Sequence, residues 1–152
     1  MRAFLVSLLV LVVTARADEP WRSLPTDETL RVIKNARDVY VFPYTTSANA
    51  HPRRDEKHLR ALDPPARDTL KRLLGDPQNW FVGFIDSALP VGVREVGVLF
   101  RTKTDELLLF IDSDTISVSF RGHWYGGGLI SRRVNDLYDW KRTYARLELE
   151  GK

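Results

Sequence analysis

The sequence predicts an α+β domain: a single antiparallel β-sheet, a meander of about four to five strands, packed with two to three helices. Three observations carry this. Ile116, Val118 and Phe120 alternate with Ser117 and Ser119, the period of a strand with one apolar and one wet face. Neighbouring apolar runs are joined by short stretches of turn formers, Lys103-Thr104-Asp105 and Asp112-Ser113-Asp114, the layout of consecutive hairpins. Ala66, Leu70, Leu73 and Leu74 make a helical stripe that opens on Asp63-Pro64 and stops at Gly75-Asp76-Pro77.

Taken in order, the chain begins with a positive residue, Arg2, and an unbroken apolar run from Ala3 to Val13, followed by Thr14-Ala15-Arg16-Ala17. This is the three-part layout of a cleavable signal peptide over residues 1–17, with Ala15 and Ala17 as the small residues and cleavage before Asp18. As a helix the apolar run rises only about 16 Å, against a hydrocarbon core near 30 Å, so it is too short to span a membrane. No later run approaches membrane-span length, so the processed chain is expected to be soluble and periplasmic or extracellular. Residues 18–25 read as a polar leader, with Trp21 available to dock, and residues 26–148 as one domain.

A first helix is expected after Thr26 as N-cap, with Asp27 and Glu28 at the positive end of its dipole and Leu30, Ile33 and Ala36 facing inward. Val39 to Tyr44 is β-branched and aromatic and reads as a strand, with Pro43 at its end or on an edge. Residues 45–62 read as a long loop. The second helix follows, then strands at Trp80–Ile85, Val93–Arg101, Leu107–Ile111 and Ile116–Phe120. After the glycines at 126–128, Ser131 is the expected cap of a C-terminal helix with Leu137, Trp140, Tyr144 and Leu147 on one face and Val134 and Tyr138 widening it.

Composition narrows the function classes. The absence of cysteine excludes disulfides, thiolate metal sites and thiol nucleophiles. The formal charge of +3 includes Arg2 and Arg16, so loss of residues 1–17 leaves +1. Arg53, Arg54, Lys57 and Arg60, and later Arg132, Arg133, Lys141, Arg142 and Arg146, are interleaved with Asp55, Glu56, Asp136 and Asp139. Such faces read as solvated surface, and no nucleic-acid partner is expected.

Few side chains recommend themselves for chemistry. Asp112 and Asp114 have the spacing of hard-cation ligands, but Asp and Ser also form turns, and the turn reading is favoured. His51, His58 and His123 lack the i, i+4 spacing of a zinc helix, so no metal site is assigned and no cofactor is expected. The segment Arg121 to Gly128 is the most concentrated candidate. His123, Trp124, Tyr125, Gly126, Gly127 and Gly128 could form a binding loop of aromatic rings and close-approaching backbone. Its plainer reading is a flexible connector from strand to helix. No G-x-S-x-G accompanies Ser131, and no phosphate-binding glycine motif is present. Whether Trp80, Trp124, Trp140 and Tyr138 form a patch or a core separates a binding surface from a scaffold.

Ala36-x-x-Val39, Leu62-Asp63, Leu70-x-x-Leu73-Leu74-x-Asp76, Pro90-Val91-Gly92-Val93, Val98-x-Phe100-Arg101 and the Glu106–Phe110 run occur in this order behind the signal sequence. In this respect the chain resembles a group of small secreted bacterial proteins, over residues about 26–145. The resemblance implies an exported α+β domain and no particular activity. Members carry cysteines near the positions of Ser87 and Asp112, and this chain has none, so no thiol or metal role transfers. The expectation is an exported binding or interaction protein of the bacterial cell envelope, leaning away from catalysis, whose partner is a protein or an envelope component. The alternative is a small hydrolase using His123 with Asp112 or Asp114 beside Gly126–Gly128.

Overall fold

The computed structural model describes residues 22–46, 54, 56–81, 94–111 and 116–145. The expected signal peptide with Ala15, Ala17 and Asp18, the docking of Trp21, and Leu147 lie outside these residues. The leader contributes more than a tether: β1 (Arg22–Ser23) is a strand, and Leu24 behind it is buried in the core.

Thr26 caps α1 (Asp27–Asn35) as expected. Its hydroxyl accepts from the Thr29 N–H at 3.1 Å, and the Thr29 hydroxyl accepts from the Thr26 N–H at 3.0 Å, a reciprocal capping box. At the other end, Lys71 Nζ donates to the Ala36 carbonyl at 2.9 Å, placing a cation at the negative end of the helix. The strand β2 (Asp38–Thr45) follows. The expected loop over residues 45–62 is more structured than its composition implied: its described part holds a 3-10 turn at Glu56–His58 and the strand β3 (Arg60–Ala61). Pro43 lies inside β2, beyond the stretch that β3 reaches, where a missing N–H breaks no bond to β3.

Helix α2 (Pro64–Leu74) matches its sequence signals. Asp63 accepts from the Ala66 N–H at 3.0 Å, Pro64 opens the helix and Gly75 closes it. Asp76 then caps a 3-10 turn, Pro77–Asn79, that leads into β4 (Trp80–Phe81). The remainder of the strand expected at 80–85 lies outside the described residues. The meander continues through β5 (Arg94–Arg101), β6 (Glu106–Ile111) and β7 (Ile116–Phe120), close to the expected ranges.

The glycine-rich segment is a correction. It is neither loop nor flexible connector but the strand β8 (His123–Leu129). Arg121 and Gly122, with φ of 50° and 78°, form a two-residue turn whose positive angles match the twist of a hairpin, so the chain returns at once beside β7. A second correction concerns the last helix, α3 (Ser131–Trp140). Ile130, not Ser131, occupies the N-cap, and no side chain bonds there. The reason is that β8 continues to Leu129 and the Ile130 N–H is held by the Asn79 carbonyl at 2.9 Å, which fixes the entry angle. A wider π-type turn, Lys141–Ala145, follows α3.

The strands form one sheet in the order β1-β8-β7-β6-β5-β2-β3, with β4 also paired to β8. Among the described residues all pairings are antiparallel except the short β1–β8 contact. The α+β class and single sheet are as expected, but the strand count exceeds four to five. Of the extra strands, β1 and β3 have two residues each, too short to carry an alternation, and β8 is the segment read as a connector. Helix α1 lies over β5 and β6, α3 packs on β8, and α2 touches both helices.

Both faces of the sheet are apolar. The helix-covered face holds Val39, Val41, Val98, Phe100, Leu107, Leu109, Val118, Phe120 and Tyr125 within the main core. The face expected to be wet has its own cluster: Phe42, Tyr44, Leu99 and Phe110, with Tyr40, Leu59, Leu108 and Trp124 packed at its margin. Phe42 and Tyr44 meet Phe110 edge-to-face at 5.9 and 5.1 Å, and Trp124 stacks on it at 5.6 Å. Ser117 and Ser119 are half-buried beside this cluster.

Candidate functional site

The pleat of β8 divides the candidate binding set between two faces. Trp124 belongs to the second cluster, while Tyr125 is buried under the helices. Gly127 and Gly128 serve packing: a Cβ on Gly127 would stand 2.7 Å from the Leu24 Cβ, and one on Gly128 2.3 Å from the Phe81 ring. Glycine inside a strand signals such close approach, and that signal was available in the sequence. Gly126 pairs with Ser117 across β7 and β8 and with Ser23 of β1. The set is therefore a piece of sheet and not a cradle.

His123 is exposed at the start of β8, opposite Phe120. Asp112 and Asp114 lie outside the described residues, but the ends of their segment, Ile111 and Ile116, face each other at the other end of β7. Five residues of strand span about 13 Å, the separation this register sets between His123 and the Ile111–Ile116 pair. His58 is exposed in its 3-10 turn, and His51 lies outside the described residues. Among the described residues no group of three or more His, Asp or Glu side chains could hold a metal ion. Trp80 and Trp140 are buried in the main core, whereas Trp124 and Tyr138 are half-buried, so the aromatic residues form no common patch.

The charged groups mostly pin elements to one another. Arg121 donates to Asp105 at 2.7 Å and reaches Glu28 at 3.5 Å, tying the β7–β8 turn to the β5–β6 turn and α1. The hydrogen bond from Arg121, helped by Thr104, holds the Asp105 carboxyl below the usual carboxylate range. Glu106 accepts from Arg54 at 2.8 Å and Arg101 at 2.7 Å; these bonds, Arg54 first, lower its pKa against the opposing effect of burial. Burial works against the Arg54 charge, yet its bonds to Glu106 and Glu56 leave its pKa raised. Arg54 and Arg142 are also ion-paired with Glu56 and Asp139. Lys141 pairs with Glu95 at 2.5 Å.

A cleft of about 660 Å³ between α2 and α3 is the feature sequence reasoning missed. Thr69, Arg72, Leu73 and Asp76 line one side and Arg133, Asp136, Asp139, Trp140 and Thr143 the other, with Asn79 between. The helices run antiparallel: Trp140, late in α3, donates its indole N–H to the Ala66 carbonyl early in α2 at 3.0 Å, while Arg133, early in α3, reaches Asn79 beyond the end of α2. Asn79, buried, is the keystone. Its amide donates to the Leu73 carbonyl at 2.8 Å, and its oxygen accepts from Arg133 Nε at 2.9 Å. Arg133 also donates to Asp136 at 2.7 Å. These walls come from residues about sixty apart in sequence, and no local motif announces them.

Among the described residues no helix is long and apolar enough to cross a membrane. Compared with protein-family models, curated proteins and solved structures, the chain finds no match, so its fold and its cleft are read from its own residues.

Proposed function

We propose that the protein is an exported, non-catalytic binding protein of the bacterial cell envelope. The observation that supports it is the α2–α3 cleft, whose polar walls are held in place by bonds within the protein. A cleft of this size falls within the volume range of small-ligand sites, where convergent polar groups fix a ligand's orientation. Its walls are Arg, Asp, Asn and Thr, a set suited to holding a ligand by hydrogen bonds and charge. The hydrolase alternative draws no support from the register, which sets His123 at the end of β7 away from Ile111 and Ile116.

The test has two parts. The full chain, expressed in a bacterium, is fractionated and its N-terminus sequenced; the expected product lies outside the inner membrane and starts at Asp18. The exported protein is then melted in the presence of saccharides, amino acids, short peptides and phosphate, and a saturable rise in melting temperature with one class is expected. Retention in the cytoplasm overturns export. Hydrolysis of an ester or amide substrate that disappears in His123→Ala, with no stabilising ligand, moves the reading to the enzyme.

A further inference from the structure

We infer that the α2–α3 cleft takes an uncharged, hydroxyl-rich ligand, a saccharide; the inference rests on the binding reading above and gives it a ligand class. The guanidiniums of Arg72, Arg133 and Arg142 match the carboxylates of Asp76, Asp136 and Asp139 in number, all of them on or beside the cleft wall. Arg133 is engaged by Asp136 and Arg142 by Asp139, and Asp76 accepts from the Gln78 N–H at 2.9 Å. A ligand of net charge would compete with the Arg133–Asp136 and Arg142–Asp139 pairs, while the formal charges of Arg72 and Asp76 cancel on the same wall. An uncharged one leaves them intact and uses the remaining lone pairs and N–H groups.

Hydrogen-bond capacity points the same way. Carboxylates only accept and guanidiniums only donate, so a wall that alternates them favours a partner whose every polar group can do both. A hydroxyl is such a group. Thr69 of α2 and Thr143 of the π-type turn after α3 add two more donor–acceptor groups, one on each wall. Peptides are the rival uncharged ligand, but they are held through side-chain pockets or a sheet edge. Here the apolar floor is closed: Leu73 and Trp140 are 6% and 2% exposed, and the indole N–H is already bonded to Ala66. From Thr69 to Asp76 the wall runs about 10 Å along the helix direction, so the cleft is a groove along which an extended sugar chain can lie.

The experiment is a titration of the exported full chain, ¹⁵N-labelled, with chitotriose and maltotriose, and with glutamate, inorganic phosphate and triglycine as contrasting probes. One trisaccharide is expected to bind with a Kd below about 1 mM, shifting the Asn79 side-chain amide and the Arg133 Nε–H signals. Thr69→Val and Thr143→Val each weaken it about fivefold, the loss of one hydrogen bond, with the melting temperature unchanged. Affinity is expected to change little between low and high salt, because no ion pair forms or breaks. Binding of glutamate or phosphate at these signals with no trisaccharide response overturns the ligand class and leaves a binding cleft. Binding of triglycine alone does the same in favour of peptides. A trisaccharide that shifts signals elsewhere overturns the location, and silence at the cleft with all five probes overturns both the class and the binding reading.

Discussion

Gly97 and Phe42 illustrate how a single residue sets the second face of the sheet. They are direct cross-strand partners, and a Cβ on Gly97 would stand 2.2 Å from the Phe42 ring. The missing side chain is what lets a fully buried phenylalanine lie flat across β5 and reach Phe110. Gly97→Ala is expected to cost about 1–3 kcal/mol, as overpacking does. A double-mutant cycle checks the cause: Phe42→Leu should be less damaging in the Gly97→Ala background than alone, because the smaller residue vacates the contested space. Equal effects in both backgrounds, measured by urea denaturation, would place the damage elsewhere. In the sequence Gly97 is only a break in an apolar run, and its partner lies 55 positions earlier, across the β2–β5 pairing.

At the level of elements, what was legible follows from how local each cause is. Thr26 and Asp63 cap helices through atoms three residues away, and their signals were correct. The strands β5, β6 and β7 were legible because each is a local apolar run, bounded by turn formers, that feeds the main core. Three failures share the opposite property. The glycines of β8 could be read as a close approach, but the partners that identify it as a strand, Leu24 and Phe81, lie far off in the chain. The start of α3 was misplaced because Asn79 holds it from outside. The cleft was invisible because its two walls meet only in the fold. Asn79 offers the matching prediction: Asn79→Ala strands the Leu73 carbonyl and releases Arg133, so stability should fall by about 1–3 kcal/mol. An unchanged denaturation midpoint would mean that water replaces the amide. Asn79→Asp, which keeps the acceptor for Arg133 but not the donor for Leu73, separates the two bonds.

For the molecule as a whole, the ion pairs around Asp105 and Glu106 link α1, the β5–β6 turn, the β7–β8 turn and Arg54. Both carboxyls titrate lower in the folded chain than in the unfolded one. The folded state therefore binds fewer protons, and the stability these groups contribute is complete at neutral pH and lost as pH falls through and below the ordinary carboxylate range. Because the groups are partly exposed, the effect of Glu106→Gln should stay below about 1 kcal/mol at neutral pH and shrink as pH falls through and below the ordinary carboxylate range. Urea midpoints across that range test it; a gap that widens on acidification would contradict the sign.

The strand β1 has a consequence for the order in which the molecule is made. The meander from β5 to β8 pairs neighbours through short connections, whereas Arg22 meets Tyr125 across about a hundred residues. Hairpins of that kind close early, and the long return of the N-terminal end closes late. Until it does, the outer side of β8 offers a row of open amide and carbonyl groups, and its glycines leave that row unguarded by side chains. Leu24, at 2% exposure against Gly127, is the anchor that ends this interval. Leu24→Ser is expected to refold with concentration-dependent aggregation, seen by light scattering, at protein levels where the native chain refolds clear. The residues that read in the sequence as the end of a polar leader are thus the latch that ends the chain's exposure to its own copies.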